Sequence, residues 1–95
     1  MKHPRIYADF NGIYRSIADG VFVVPLDSTQ TLRDLAAEGI ELRDGFALTI
    51  YDRSDEEEDL EADAVSRYDA ASRRWLAVLD EGYQYVPAKG RLRNS

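Results

Sequence analysis

Between Phe46 and Tyr68 the apolar side chains keep a period of two. Phe46, Leu48 and Ile50 alternate with Ala47, Thr49 and Tyr51. Further on, Leu60, Ala62, Ala64 and Tyr68 share one parity, while Glu61, Asp63, Val65 and Arg67 share the other. Successive residues of an extended chain point to opposite faces, so each run predicts a strand with one apolar face. Trp75–Leu79 is apolar at every position, as in a strand covered on both sides. Asp69-Ala70-Ala71-Ser72-Arg73 between the last two runs has the length of a hairpin loop. Glu81-Gly82 reads as a turn, and Tyr83-Gln84-Tyr85-Val86 as a last short strand. The segment 46–86 is thus a meander, and it commits the chain to a mainly β fold.

The first half adds strands and one helix. Arg5–Phe10 is β-rich in composition, and Asn11-Gly12 after it is the strongest short hairpin signal, since a type I′ turn needs positive φ at both central positions. Ile13–Ile17 is then the return strand. In a competing reading, 11–18 is a longer loop and the next segment supplies the pairing. Ala18-Asp19-Gly20 is a turn, and Val21–Leu26 a buried strand whose Pro25 marks its end or an edge. The helix starts with Thr31 as N-cap and Asp34 in a capping-box-like position. Leu32, Leu35 and Ala36 lie on one face. Gly39 stops the helix, and Ile40 beyond it makes the hydrophobic contact of a Schellman motif. About two turns cannot stand alone, so Leu32, Leu35 and Ile40 must dock it. Arg43-Asp44-Gly45 is another turn.

A chain of 95 residues is one domain. The expected fold class is mainly β with one short helix (α+β). It is either a small antiparallel SH3-like barrel or a curled sheet of roughly five or six strands. An open antiparallel sheet with the helix on one face is the alternative. Residues 1–87 form the domain and 88–95 a flexible basic tail with Lys89, Arg91 and Arg93.

Charge is unevenly spread. Residues 52–63 hold eight acids and one base, so the net charge of −6 leaves only +1 for all the rest. Residues 52–59 are expected to form a solvated acidic loop that also keeps a strand edge from pairing with another chain. The sharper alternative is cation binding. Against the calcium-loop template starting at Asp52, Ser54 fits, but Glu57 stands where a glycine is needed and Asp63 where the bidentate glutamate belongs. No metal site and no cofactor are expected.

Tyr51, Tyr68, Trp75, Tyr83 and Tyr85 all lie in the meander around that acidic run. Aromatic residues at strand spacing pack on a core. They also form recognition surfaces, and a neighbouring acidic loop would select a basic partner. The order Ala47-Leu48-Thr49-Ile50-Tyr51-Asp52, acids, Trp75-Leu76-Ala77 and Pro87 resembles the landmarks of signalling SH3 domains, with Leu76 where those domains carry a second tryptophan. The resemblance implies that Tyr51, Trp75 and Pro87 line a groove for a proline-rich basic peptide, with Glu56, Glu57, Glu58 and Asp59 meeting its basic residue.

Other classes find less support. There is no cysteine, which excludes disulfides, thiolate nucleophiles and sulfur-ligated zinc. The single histidine, His3, sits near the terminus, and no G-x-S-x-G, P-loop or G-x-G-x-x-G motif appears. The chain is therefore expected not to be an enzyme. The longest apolar run, Val21–Leu26, is too short to span a bilayer, and no signal peptide is read, so a soluble cytoplasmic protein with no membrane partner is expected.

The leading expectation is a non-catalytic interaction module for a protein or basic peptide. Its candidate site is Tyr51, Glu56–Asp59, Tyr68, Trp75 and Tyr85. One alternative is a nucleic-acid-associated barrel using Arg67, Arg73 and Arg74 on the Arg67–Trp75 hairpin. The acidic run repels phosphate over a Debye length of about 8 Å, which disfavours it. The other alternative is a structural subunit of a homo-oligomer.

Overall fold

The structure, a computed structural model, describes residues 3–16, 19–53, 58–80 and 83–87, apart from the side chains of Tyr85 and Pro87. Strands β1 (Arg5–Tyr7), β2 (Tyr14–Arg15), β3 (Phe22–Pro25), β4 (Ala47–Arg53), β5 (Glu58–Asp69), β6 (Arg74–Leu79) and β7 (Gln84–Pro87) make one sheet, and helix α1 (Thr29–Glu38) packs beside it. The main path across the sheet is β1-β4-β5-β6-β3-β2. The fold is mainly β with one helix. The sheet is mixed and does not close: β1 runs parallel to β4, and every other pair is antiparallel.

The meander forms where the alternation places it. Ile50, Ala62, Ala64, Ala77 and Leu79 turn to one face and join Ile6, Val24, Leu26 and Leu48 in the buried core. Trp75 and Phe46 pack against its margin. The hairpin loop after Asp69 is closed by Arg73 at φ 57°, a left-handed position. At the same end of the sheet Gly45, at φ 81°, turns the chain into β4, and the Ser66 hydroxyl donates to the Arg43 carbonyl.

Three expectations are corrected. The first is the Asn11-Gly12 hairpin. Phe10–Gly12 is a single 3-10 turn whose cap, Asp9, accepts from the Asn11 N–H at 2.9 Å. The strands on either side do not pair with each other: β1 pairs with β4 and β2 with β3. An Asp two residues before the asparagine offers the backbone a local acceptor, and the turn tightens on it. The second is the place of the last strand in the meander, after Glu81-Gly82. Those two residues lie outside the described set, but β6 and β7 flank the same edge of β5 and run in the same direction along it. Leu79 pairs with Ala64 and Gln84 with Glu61.

The third correction concerns α1. It begins a turn earlier than expected, with Ser28 as N-cap accepting from the Thr31 N–H. Gly39 at φ 67° ends it, and the Ile40 N–H donates to the Leu35 carbonyl, as a Schellman stop requires. Leu35 is buried, but Leu32 is 55% exposed and Thr31 takes the inward position. The reason lies in what the helix covers. β1 would be a bare sheet edge on its outer side. The Tyr7 N–H donates to Asp34 Oδ2 at 2.9 Å, and Thr31 Oγ1 donates to the Tyr7 carbonyl at 2.6 Å. Asp34 is thus an edge acceptor rather than a capping residue, and two polar side chains replace the missing neighbouring strand.

Candidate functional site

The acidic run is divided by the fold. β4 extends to Arg53 and β5 begins at Glu58, so Asp52, Glu58, Asp59, Glu61 and Asp63 belong to strands rather than to a loop. Ser54, Asp55, Glu56 and Glu57 lie outside the described residues. Asp59 is 1% exposed. Arg5 Nη2 donates to Asp59 Oδ2 at 2.7 Å and Arg5 Nε to Glu61 Oε2 at 2.8 Å, while its guanidinium carbon lies 3.9 Å from the centre of the Tyr51 ring. Burial pulls the Arg5 pKa down, but the bonds to Glu61 and Asp59 outweigh it and leave the group above its ordinary value. The first and last positions of the calcium template do other work. Asp52 caps backbone N–H groups, and Asp63 accepts from the Thr49 hydroxyl at 3.3 Å.

The candidate aromatic residues do not share a surface. Tyr51 stands on the face of β4 with Arg5 and Glu61, its hydroxyl donating to Asp34 Oδ2 at 3.2 Å. Burial, and then the charge and hydrogen bond of Asp34, push its pKa up. Tyr68 and Trp75 are partners across β5 and β6, their rings edge to face at 5.3 Å. They lie seven residues along β5 from the position opposite Tyr51 and on the other face, about 23 Å away at strand rise. Glu56, Glu57 and the Tyr85 side chain are outside the described set. Of the arginines on the hairpin, Arg67 Nη1 donates to Asp19 Oδ2 at 2.8 Å and Arg74 Nε to Asp27 Oδ2 at 2.9 Å. Arg73 is exposed at the loop.

What the fold does bring together is a cleft of about 370 Å³ beside the Phe10–Gly12 turn. Phe10, Ile13, Leu60 and Tyr83 line it, with Tyr7, Asp9, Asp52 and Arg53. Phe10 and Tyr83 meet edge to face at 5.8 Å, and Tyr83 is 52% exposed. Asp52 ties the turn to β4: its Oδ2 accepts from the Phe10 N–H at 2.9 Å and its Oδ1 from the Arg53 N–H at 2.7 Å. The Tyr7 phenol is raised to about 12, by burial first, then by the charge and hydrogen bond of Asp52 and the charge of Asp9. Asp9 and Asp52 bring two carboxylates to the cleft and Arg53 one guanidinium, in an aromatic setting.

Sequence reasoning missed Tyr7, Asp9, Phe10 and Asp52 as a group. Asp9-Phe10-Asn11 carries the signal as an aspartate two residues before a turn position, while Asn-Gly on its own favours a hairpin. No protein-family model, no curated protein and no solved structure matches the chain.

Proposed function

We propose that the protein is an interaction module that holds a basic segment of a protein partner at the cleft beside the Phe10–Gly12 turn. The observation that carries this reading is the meeting of two carboxylates, Asp9 and Asp52, with the rings of Tyr7, Phe10 and Tyr83 in one concave place. Aromatic rings attract a cation over their faces and cover its carbon stem, and the carboxylates supply the charge. The partner class is the one expected from the acidic and aromatic composition of the meander. The place is different, because Tyr51 and Trp75 stand apart. The nucleic-acid reading draws no support from Arg67 and Arg74, each of which already holds a carboxylate.

The test is a titration of the isotope-labelled protein with a short basic peptide, followed by amide shifts. The expected result is movement at Phe10, Leu60 and Tyr83, and weaker binding as salt is added. Shifts confined to Tyr68, Trp75 and their neighbours would place the partner at the hairpin and end this reading.

A further inference from the structure

We infer that Asn11 is a site of self-modification, where the main-chain nitrogen of Gly12 converts the side-chain amide to a carboxylate when the Phe10–Gly12 turn opens. The chemistry is internal to the Asn-Gly pair. Once solvent base has taken its proton, the Gly12 nitrogen bonds to Asn11 Cγ. The Cγ–Nδ2 bond breaks, and Nδ2 leaves with an added proton as ammonia. Water then opens the cyclic imide, at Cγ to give aspartate or at the main-chain carbonyl to give isoaspartate. Nothing is oxidised or reduced, and water is the only co-reactant. A side chain on the following residue crowds the ring closure, and glycine has none.

Three observations place this chemistry here. Asn11 is exposed. The backbone has no use for the glycine beside it: Gly20, Gly39 and Gly45 adopt positive φ, but Gly12 does not. A Cβ on Gly12 would meet Pro25 Cδ at 3.5 Å, an ordinary contact, so alanine would fit the turn. Finally, the turn restrains the nucleophile. The Gly12 N–H donates to the Asp9 carbonyl at 2.9 Å, and the Asn11 N–H to Asp9 Oδ1 at 2.9 Å. The planar imide also needs the Gly12 nitrogen rotated toward Asn11 Cβ, out of the 3-10 conformation. Ring closure therefore waits on opening of the turn. Asn11 lines the cleft, so either product adds a carboxylate to its wall. Isoaspartate also lengthens the main chain, which breaks the 3-10 spacing between Asp9 and Gly12. The reaction is a property of the turn itself, whatever the cleft holds.

The full chain is incubated at mildly alkaline pH, folded and in urea, and Asn11 is followed by the mass of its peptide fragment and by isoaspartate content. In urea Asn11 is expected to convert, and in the fold at least about tenfold more slowly, because the reaction tracks the open fraction. Hydrogen exchange at the Gly12 amide is expected to be slowed by a similar factor, since both need the same bond broken. Gly12→Ala is expected to keep a native amide spectrum and to convert more slowly in urea. No conversion at Asn11 in urea, or equal rates in the fold and in urea, overturns the inference. So does a Gly12→Ala chain that converts as fast as the parent. A slow Asn11 beside a freely exchanging Gly12 amide also overturns it, because the turn would then not be the restraint.

Discussion

The two ends of β5 hold their charges differently. At Asp59 and Glu61 the acids converge on one arginine, and Asp59 is almost wholly buried. At the hairpin end Arg67 reaches Asp19, and on the next strand Arg74 reaches Asp27, with all four side chains between 37% and 47% exposed. The contact distances are the same, 2.7–2.8 Å in every case. Solvent makes the difference. An exposed pair trades one good electrostatic partner for another, whereas a buried carboxylate has lost its water and depends on the groups around it. Equal geometry therefore stands for unequal roles. The first end helps to fix β1 against β5 across β4, and the second end dresses a surface.

The largest effect that would break this comparison is at Arg5. Arg5→Ala takes a partner from the buried Asp59 and should cost about 3 kcal/mol, read as a lower midpoint in urea unfolding. A midpoint within error of the parent would mean that burial adds nothing to the pair. Arg5→Lys sharpens the same point: it keeps the charge and loses the fork to two acids, for a loss of about 1 kcal/mol. If lysine did fully as well as arginine, charge alone would explain the site.

The third effect is alkaline. The Tyr7 phenol titrates at about 12 in the fold against 10.0 ordinarily, so the folded state holds its proton more tightly. That contribution is fully present below pH 10 and is lost as pH rises toward 12. Stability of the parent should fall more steeply over that window than stability of Tyr7→Phe, as measured by denaturation at stepped pH. Parallel curves would contradict the assignment. The smallest effect belongs to the exposed end, where Arg74→Ala should change stability by no more than about 0.5 kcal/mol and added salt should erase even that. At the same end the bond from Arg67 holds the Asp19 pKa low. Its small contribution is present above the ordinary carboxylate range and disappears as pH falls through the lowered value.

How much of this was legible follows from range. The alternation of Leu48, Ile50, Ala62 and Ala64 is local, and it led directly to β4, β5 and the core face. Gly39 and Gly45 announced their turns because each needs a positive φ. The errors came where distant residues decide. Asn11-Gly12 looked like a hairpin because nothing nearby reveals that β1 pairs with β4. Leu32 looked like a docking residue because nothing nearby reveals that Thr31 and Asp34 must satisfy the edge of β1. Asp59 was counted with a solvated run because a charge count sees its neighbours in sequence and not Arg5. The cleft was hidden for the same reason, since its walls come from the turn after β1, from β4 and β5, and from the residue before β7.

The parallel pairing of Arg5 with Thr49 also orders events in time. β4, β5 and β6 join across short connections, whereas β1 must find its partner over nearly half the chain, the slower and entropically costlier closure. Tyr7, Asp9 and Phe10 travel with that late segment. The cleft is therefore completed only once this long-range pairing is made, so that a partner docking there would recognise molecules in which β1 is already in place.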